Sequence, residues 1–287
     1  MVALVREKTE KYRKKLLDVR NDLVFKAIFG EERNEDLLLL LLNAILKEDV
    51  VKITFLDTHM GADFVDEKYS VMDIRVRTAK NAEINIEMQL EHHDGFENRM
   101  LLYWARLYAK QLKSGQAYTQ LRKAIQISIV DFKFLQNEHY HSTFQLEEQE
   151  KRIKFTDHLE IHVLELPKVR LNSSLEDKNA LKKWMLFISG DDHTKEELAM
   201  SDLGIGRAYN ELQRISEDEV MQERVIAREK YLSDQATRRE LAKEEGKKEL
   251  REEAILAMHH DGLPIEAIAR YMKISVEQVG SVINPLQ

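Results

Sequence analysis

The chain has 287 residues, 33% of them charged, a formal net charge of -7, only 3 prolines and no cysteine. Disulfides and thiolate metal sites are excluded, which fits a reducing cytoplasm. The acidic balance also excludes a body that coats nucleic acid by bulk charge, so any such contact must be a local basic patch.

The first twenty residues carry scattered basic side chains and no apolar signal core. They read either as a solvated leader or first helical turn, or as a DNA-contacting arm. From Asn21 to Leu46 the apolar spacing is helical and breaks near Gly30. Its richest run, Leu37 to Leu42, is closely bracketed by Glu35, Asp36, Lys47 and Glu48; it is too short to span a bilayer and reads as a buried helix. Val50 to Leu56 is a β-like run. Val71 to Val76 alternates, with Met72, Ile74 and Val76 on one side and Asp73, Arg75 and Arg77 on the other. Glu83 to Glu91 alternates again, setting Ile84, Ile86, Met88 and Leu90 against Asn85, Glu87, Gln89 and Glu91. The short polar link Ala79-Lys80-Asn81 predicts a hairpin of these two strands. A helix over Phe96 to Leu112 and a strand over Ala124 to Val130 follow. The order helix, three strands, helix, strand is that of a mixed α/β core.

Beyond His141 short strands are expected around Phe144 to Leu146, Ile153 to Phe155 and Leu159 to Leu166, then a helix over Ala180 to Ile188. Ile205 to His259 is charged and helix-favouring with a poor heptad register, so an extended helical arm is expected. The implied organisation is a core over 1–140, an α+β extension packed on it over 141–204, a charged helical arm over 205–260 and a small tail over 261–287.

Asp73 and Glu87 fall on the polar sides of the two hairpin strands. Unpaired carboxylates repel by about 4 kcal/mol at 4 Å in an effective dielectric near 20, so a proton or a cation is needed between them. Hard oxygen ligands without histidine or cysteine suit Mg²⁺ or Mn²⁺. The alternative is an exposed polar strand face, although aspartate is a poor strand former. His92 and His93 follow the second strand, either facing such a metal or forming a surface pair.

The stretch VMDIRVRTAKNAEINIEMQL, with Asp73 followed by Glu87-x-Gln89, resembles the D…E-x-Q core of the Rpn family of recombination-promoting nucleases and transposases, a branch of the PD-(D/E)XK nucleases. DLVFKAIFG, carrying Asp22, Phe25, Lys26, Phe29 and Gly30, is similar to the opening signature of that family. Arg99 and Tyr103 fall on its post-core helix, and Leu164-Glu165-Leu166-Pro167-Lys168 on a later element. The resemblance implies a restriction-endonuclease-like core and divalent-metal-dependent endonucleolytic cleavage of DNA, linked to recombination, mobile elements or phage defence in bacteria. It implies Asp73, Glu87 and the backbone carbonyl of Met88 as metal ligands. Gln89 stands where many relatives carry a lysine; an amide orients water but brings no charge. Asp22 is either a helix-borne catalytic acid or the cap of the helix starting near Leu23. Lys68 is a weaker candidate for phosphate contact.

Arg99, Tyr103, Arg106, Lys110 and Lys113 share one helical face, while Met100, Trp104, Leu107 and Tyr108 share the neighbouring face expected to pack on the sheet. No acidic residue occurs from Arg99 to Lys123. The stripe reads as a DNA-phosphate contact or as an ordinary solvated face. Leu263 to Ile283 fits a helix-turn-helix template with a capping box at Ser275 and Gln278, yet its second helix offers only Glu277, Gln278 and Ser281 to a groove. It reads as a DNA reader or as a packing and self-association module, the latter making a homo-oligomer through the C-terminal helices. Against the nuclease stands a catalytically silent DNA-binding or assembly protein on the same scaffold.

Overall fold

The computed structural model describes residues 15–60, 70–71, 73–171 and 179–284. Helix α1 (Asp22–Phe29) starts at Asn21, whose side chain accepts from the Leu23 N–H, and stops at Gly30. A Cβ at Gly30 would lie 2.8 Å from the Lys26 carbonyl oxygen and 3.1 Å from Ile74 Cγ1, so glycine lets the helix end approach the sheet. Gly30→Ala is expected to cost about 1–3 kcal/mol through this overpacking, read as a lower denaturation midpoint with unchanged m-value. Phe25 and Phe29 meet at a 44° tilt with ring centroids 4.9 Å apart and Phe29 meets Trp184 edge-on, so the aromatic letters of the opening signature are core residues.

Helix α2 (Glu35–Leu46) follows a short 3-10 turn and buries Leu37, Leu38, Leu41, Leu42 and Ile45. The strands are β1 (Ile53–Phe55), β2 (His59–Met60), β3 (Ser70–Val71), β4 (Ile74–Thr78) and β5 (Glu83–Gln89). Helix α3 (Phe96–Ala109) then leads to β6 (Ala124–Val130), β7 (His141–Gln145) and β8 (Leu159–Glu165). Strands β2 and β3 form a small separate pair; the other six make one sheet in the order β1-β4-β5-β6-β8-β7. The expected hairpin is present: β4 and β5 pair antiparallel with Ile74 opposite Ile86, through a turn in which Asn81 takes φ 61°. Strands β5, β6 and β8 run parallel, and β7 closes the edge antiparallel to β8. Because β7 and β8 belong to this sheet, it runs on through the residues beyond 140.

A mixed α/β fold is therefore observed, consistent with a PD-(D/E)XK-like architecture. Parallel strands joined by a crossover helix are covered on both faces. One face carries Ile74, Val76, Ile84, Ile86, Met88, Ile125, Ile127 and Ile129, packed with α1, α2 and later helices. The other meets α3, where Phe96 and Met100 pack on Val130, Ile161 and Val163. The alternation in β5 thus does not mark an exposed polar face. Asn85, Glu87, Gln126 and Ser128 are all buried, because the β5-to-β6 crossover lays α3 over that side.

Helix α4 (Leu166–Leu171) leads to α5 (Ala180–Ser189), α6 (Asp192–Ser201) and α7 (Leu203–Glu217). The expected single arm is instead two helices. Asp218 ends α7 and its carboxylate accepts from the N–H groups of Val220 and Met221, starting α8 (Glu219–His260). Helix α7 is no solvated arm: Ile205, Ala208, Tyr209, Leu212 and Ile215 are buried in the main core.

The chain divides into two compact units, 1–225 and 226–287. In the second, α9 (Ile265–Met272) and α10 (Val276–Ile283) pack with Ile255 around Ile268, Ala269 and Val279. The Ser275–Gln278 capping box forms with both of its hydrogen bonds. Among the described residues no helix is long and apolar enough to cross a membrane.

Candidate active site

Extending the β4–β5 register by one position sets Asp73 opposite Glu87. Asp73 just precedes β4, and its Oδ2 accepts from the Met88 N–H at 2.9 Å, which holds the carboxylate against β5. In an extended strand the N–H and C=O of one residue project to the same side. The Met88 carbonyl therefore faces the Asp73 edge, next in sequence to Glu87, the register partner of Asp73.

Glu87 is only 6% exposed. Burial, and next the charge of Asp73, push its carboxyl up to about 8, against the opposing effects of the Arg99 guanidinium and the Asn85 amide. Asn85 Nδ2 lies 3.2 Å from Glu87 Oε1 and 2.8 Å from Gln126 Oε1, while Gln126 Nε2 reaches Ser128 Oγ at 3.3 Å. This buried polar floor was not expected. Its only signal in the sequence is that Gln126 and Ser128 interrupt AIQISIV in the same alternation as Asn85 and Glu87.

Gln89 lies at the end of β5, on the same side as Glu87. Its Oε1 accepts from Arg99 Nη2 and its Nε2 donates to the Glu91 carbonyl at 3.1 Å. The Arg99 guanidinium also stands over the rings of Phe96 and Tyr103, 5.4 and 5.9 Å from their centroids. Arg99 therefore belongs to the carboxylate cluster as well as to the helical stripe.

The rest of the stripe is only partly helical. Arg106 stays within α3, but Lys110 is its C-cap and Lys113 lies beyond it, with its N–H bonded to Gln116 Oε1. The helix ends at Ala109 rather than Leu112, its last turn tightening before Gly115 at φ 86°. The neighbouring face packs as expected: Met100 and Leu107 are buried, Trp104 Nε1 donates to the Ala124 carbonyl, and Tyr108 Oη meets His158 Nδ1.

Asp22 is the first residue of α1, and the cap is Asn21; the Asp22 carboxylate also accepts from the Leu23 N–H at 3.1 Å. Helix α1 packs on the opposite face of the sheet from the Glu87 side chain. His92 joins an aromatic cluster with Phe96, Phe132 and Phe134. Arg75 and Arg77 close on the buried Glu83 at 2.8 and 2.6 Å. Lys68 and Met72 lie outside the described residues.

Among the described residues no three histidine, cysteine or acidic side chains gather as a metal-binding group. Two carboxylates and a carbonyl nevertheless suit a hard cation that keeps several waters. Glu87, buried beside the half-buried Asp73 with its ionised form disfavoured, is the observation that fits one.

Comparison with curated proteins and with solved structures finds no match. Residues 19–242 match the model of the PD-(D/E)XK nuclease family transposase, which spans the six-stranded sheet and all the residues of this cluster. The chain belongs to the PD-(D/E)XK nuclease family transposases.

Proposed function

We propose that the protein is a divalent-metal-dependent endonuclease that hydrolyses DNA phosphodiesters in recombination, mobile-element or defence processes. The observation that carries this reading is the carboxylate pair: Glu87 is buried beside Asp73 with its ionised form disfavoured by both burial and that neighbour. Asp73, Glu87 and the Met88 carbonyl would hold Mg²⁺ or Mn²⁺. Such an ion lowers the pKa of a bound water and stabilises charge on a phosphoryl oxygen.

The chain's own groups supply the rest. Asp73 is fixed by the Met88 N–H, and Glu87 by Asn85, so the ligands are oriented before any cation arrives. Helix α3 places Tyr103 and Arg106 beyond Arg99 on one face, followed by Lys110 and Lys113, in a stretch without acidic residues. That patch gives an acidic protein a local surface for a phosphate backbone, with binding that weakens steeply as salt rises. The position of Asp22 at the start of α1 favours stabilisation of the helix over a catalytic role.

Plasmid nicking in Mg²⁺ or Mn²⁺ tests the reading. Wild type is expected to cut, and Asp73→Ala to lose at least about a hundredfold, on the scale of removing a group that stabilises transition-state charge. Equal cleavage by both proteins would remove Asp73 from the site. No cleavage by wild type, with salt-sensitive DNA binding intact, would instead indicate a DNA-binding scaffold.

A further inference from the structure

Gln89 occupies the motif's lysine position, yet its amide is engaged at both ends, by Arg99 on one side and by the Glu91 carbonyl on the other. An amide so held is poorly placed to orient a water. It is well placed to hold a guanidinium. Arg99 comes from the first turn of α3, and its charge is felt by the Glu87 carboxylate. Its Nε is buried and has no hydrogen-bond partner in the protein. The guanidinium has five N–H donors in a fixed fork, a geometry that matches phosphate oxygens. Phe96 and Tyr103, whose ring centroids lie 5.4 and 5.9 Å from its Cζ, limit its swing.

The geometry points to Arg99 as the cationic catalytic residue of this site, supplied from α3 in place of a strand lysine, with Gln89 as its positioning residue. Arg99 contacts a non-bridging oxygen of the scissile phosphate and stabilises the charge that builds there; Gln89 sets the fork's direction. This rests on the nuclease reading and assigns Arg99 a role apart from the stripe. A residue that only grips the strand raises KM, whereas one that meets charge developing in the transition state lowers kcat.

The test is steady-state cleavage with Mg²⁺ for wild type, Arg99→Met, Arg99→Lys, Gln89→Ala, the double variant Gln89→Ala/Arg99→Met and the swap Gln89→Lys/Arg99→Met. It is accompanied by calorimetric titration of each protein with Mn²⁺ and by thermal melts. Arg99→Met is expected to lower kcat by about 10²–10³ with KM within about threefold, and Arg99→Lys to keep part of the rate. Gln89→Ala should be slowed, and its double variant no slower than Arg99→Met, since the two act as one unit. The swap, which returns a cation to the strand, should recover at least about tenfold over Arg99→Met. Mn²⁺ should bind Arg99→Met at least as tightly as wild type, because a neighbouring positive charge has been removed. If wild type cuts and Arg99→Met matches its kcat, or raises KM alone, the inference is overturned and the nuclease reading stands. Weaker Mn²⁺ binding by Arg99→Met would overturn it as well, making Arg99 a support of the metal site. A wild type that cuts nothing overturns both.

Discussion

Glu87→Gln is expected to abolish cleavage and at the same time to make the metal-free protein more stable at alkaline pH. The carboxyl titrates near 4.5 in an unfolded chain and is pushed up to about 8 in the folded one. Between those values the folded state holds a proton that the unfolded state has released, so stability falls as pH rises through the window. Below about pH 4.5 the carboxyl contributes no such penalty; above about 8 the penalty is complete. Glutamine keeps the shape and never ionises. At about 1.4 kcal/mol per unit of pKa, the variant's advantage grows to several kcal/mol at the upper end. Melting in EDTA from pH 5 to 9 measures it as a widening gap in Tm between variant and wild type. Mg²⁺ should narrow the gap by stabilising wild type alone, since a ligand that binds only the native state raises its stability by mass action. A variant less stable than wild type at pH 9 in EDTA would mean that the Glu87 anion is well compensated by its surroundings, removing the argument for cation binding at this pair.

The neighbourhood of Asp73 and Glu87 was legible because a hairpin is local. Ile74, Val76, Ile84 and Ile86 fix which residues share a side, and the short turn at Ala79 to Asn81 leaves little freedom in register. What alternation cannot reveal is what covers each side. The same pattern describes a strand half in water and a strand whose polar side lies beneath a helix. The second case holds here, and the hint was non-local: Gln126 and Ser128 on β6 match Asn85 and Glu87 on β5. Arg99 illustrates the same limit. Its helical face could be derived from spacing, but its contact with Gln89 depends on where α3 meets the sheet, which involves no periodicity. In the C-terminal half, the burial face of α7 was present as Ile205, Ala208, Leu212 and Ile215, a helical stripe diluted by charged neighbours. The break at Asp218 is a capping signal inside a stretch whose composition favours continuous helix.

The Leu164-Glu165-Leu166-Pro167-Lys168 element belongs to the matched family region, yet its charges serve the fold, and Lys168→Met should be among the most damaging substitutions outside the carboxylate cluster. Glu165 is fully buried at the end of β8. One of its oxygens accepts from the Phe134 and Leu135 N–H groups at 2.6 and 3.2 Å, and the other from Lys168 Nζ. That ammonium also donates to the Leu135 carbonyl at 3.0 Å and to Asn137 Oδ1 at 3.2 Å. The pair thus ties the segment after β6 to the end of β8, and that segment carries Phe134, whose ring packs on Phe96 in the first turn of α3. Methionine fills similar volume but leaves a buried carboxylate uncompensated, which costs about 3–5 kcal/mol. Lys168→Met combined with Glu165→Gln should recover much of that loss, because the amide can accept from the same backbone donors without carrying charge. Urea unfolding of the two variants, with wild type alongside, separates the possibilities. Additive losses would mean that the two side chains stabilise the fold independently; recovery in the double variant identifies the lone buried charge as the cause. Since the latched segment supports the helix carrying Arg99, the single variant should also slow cleavage below its own midpoint of unfolding, and the double variant should restore it.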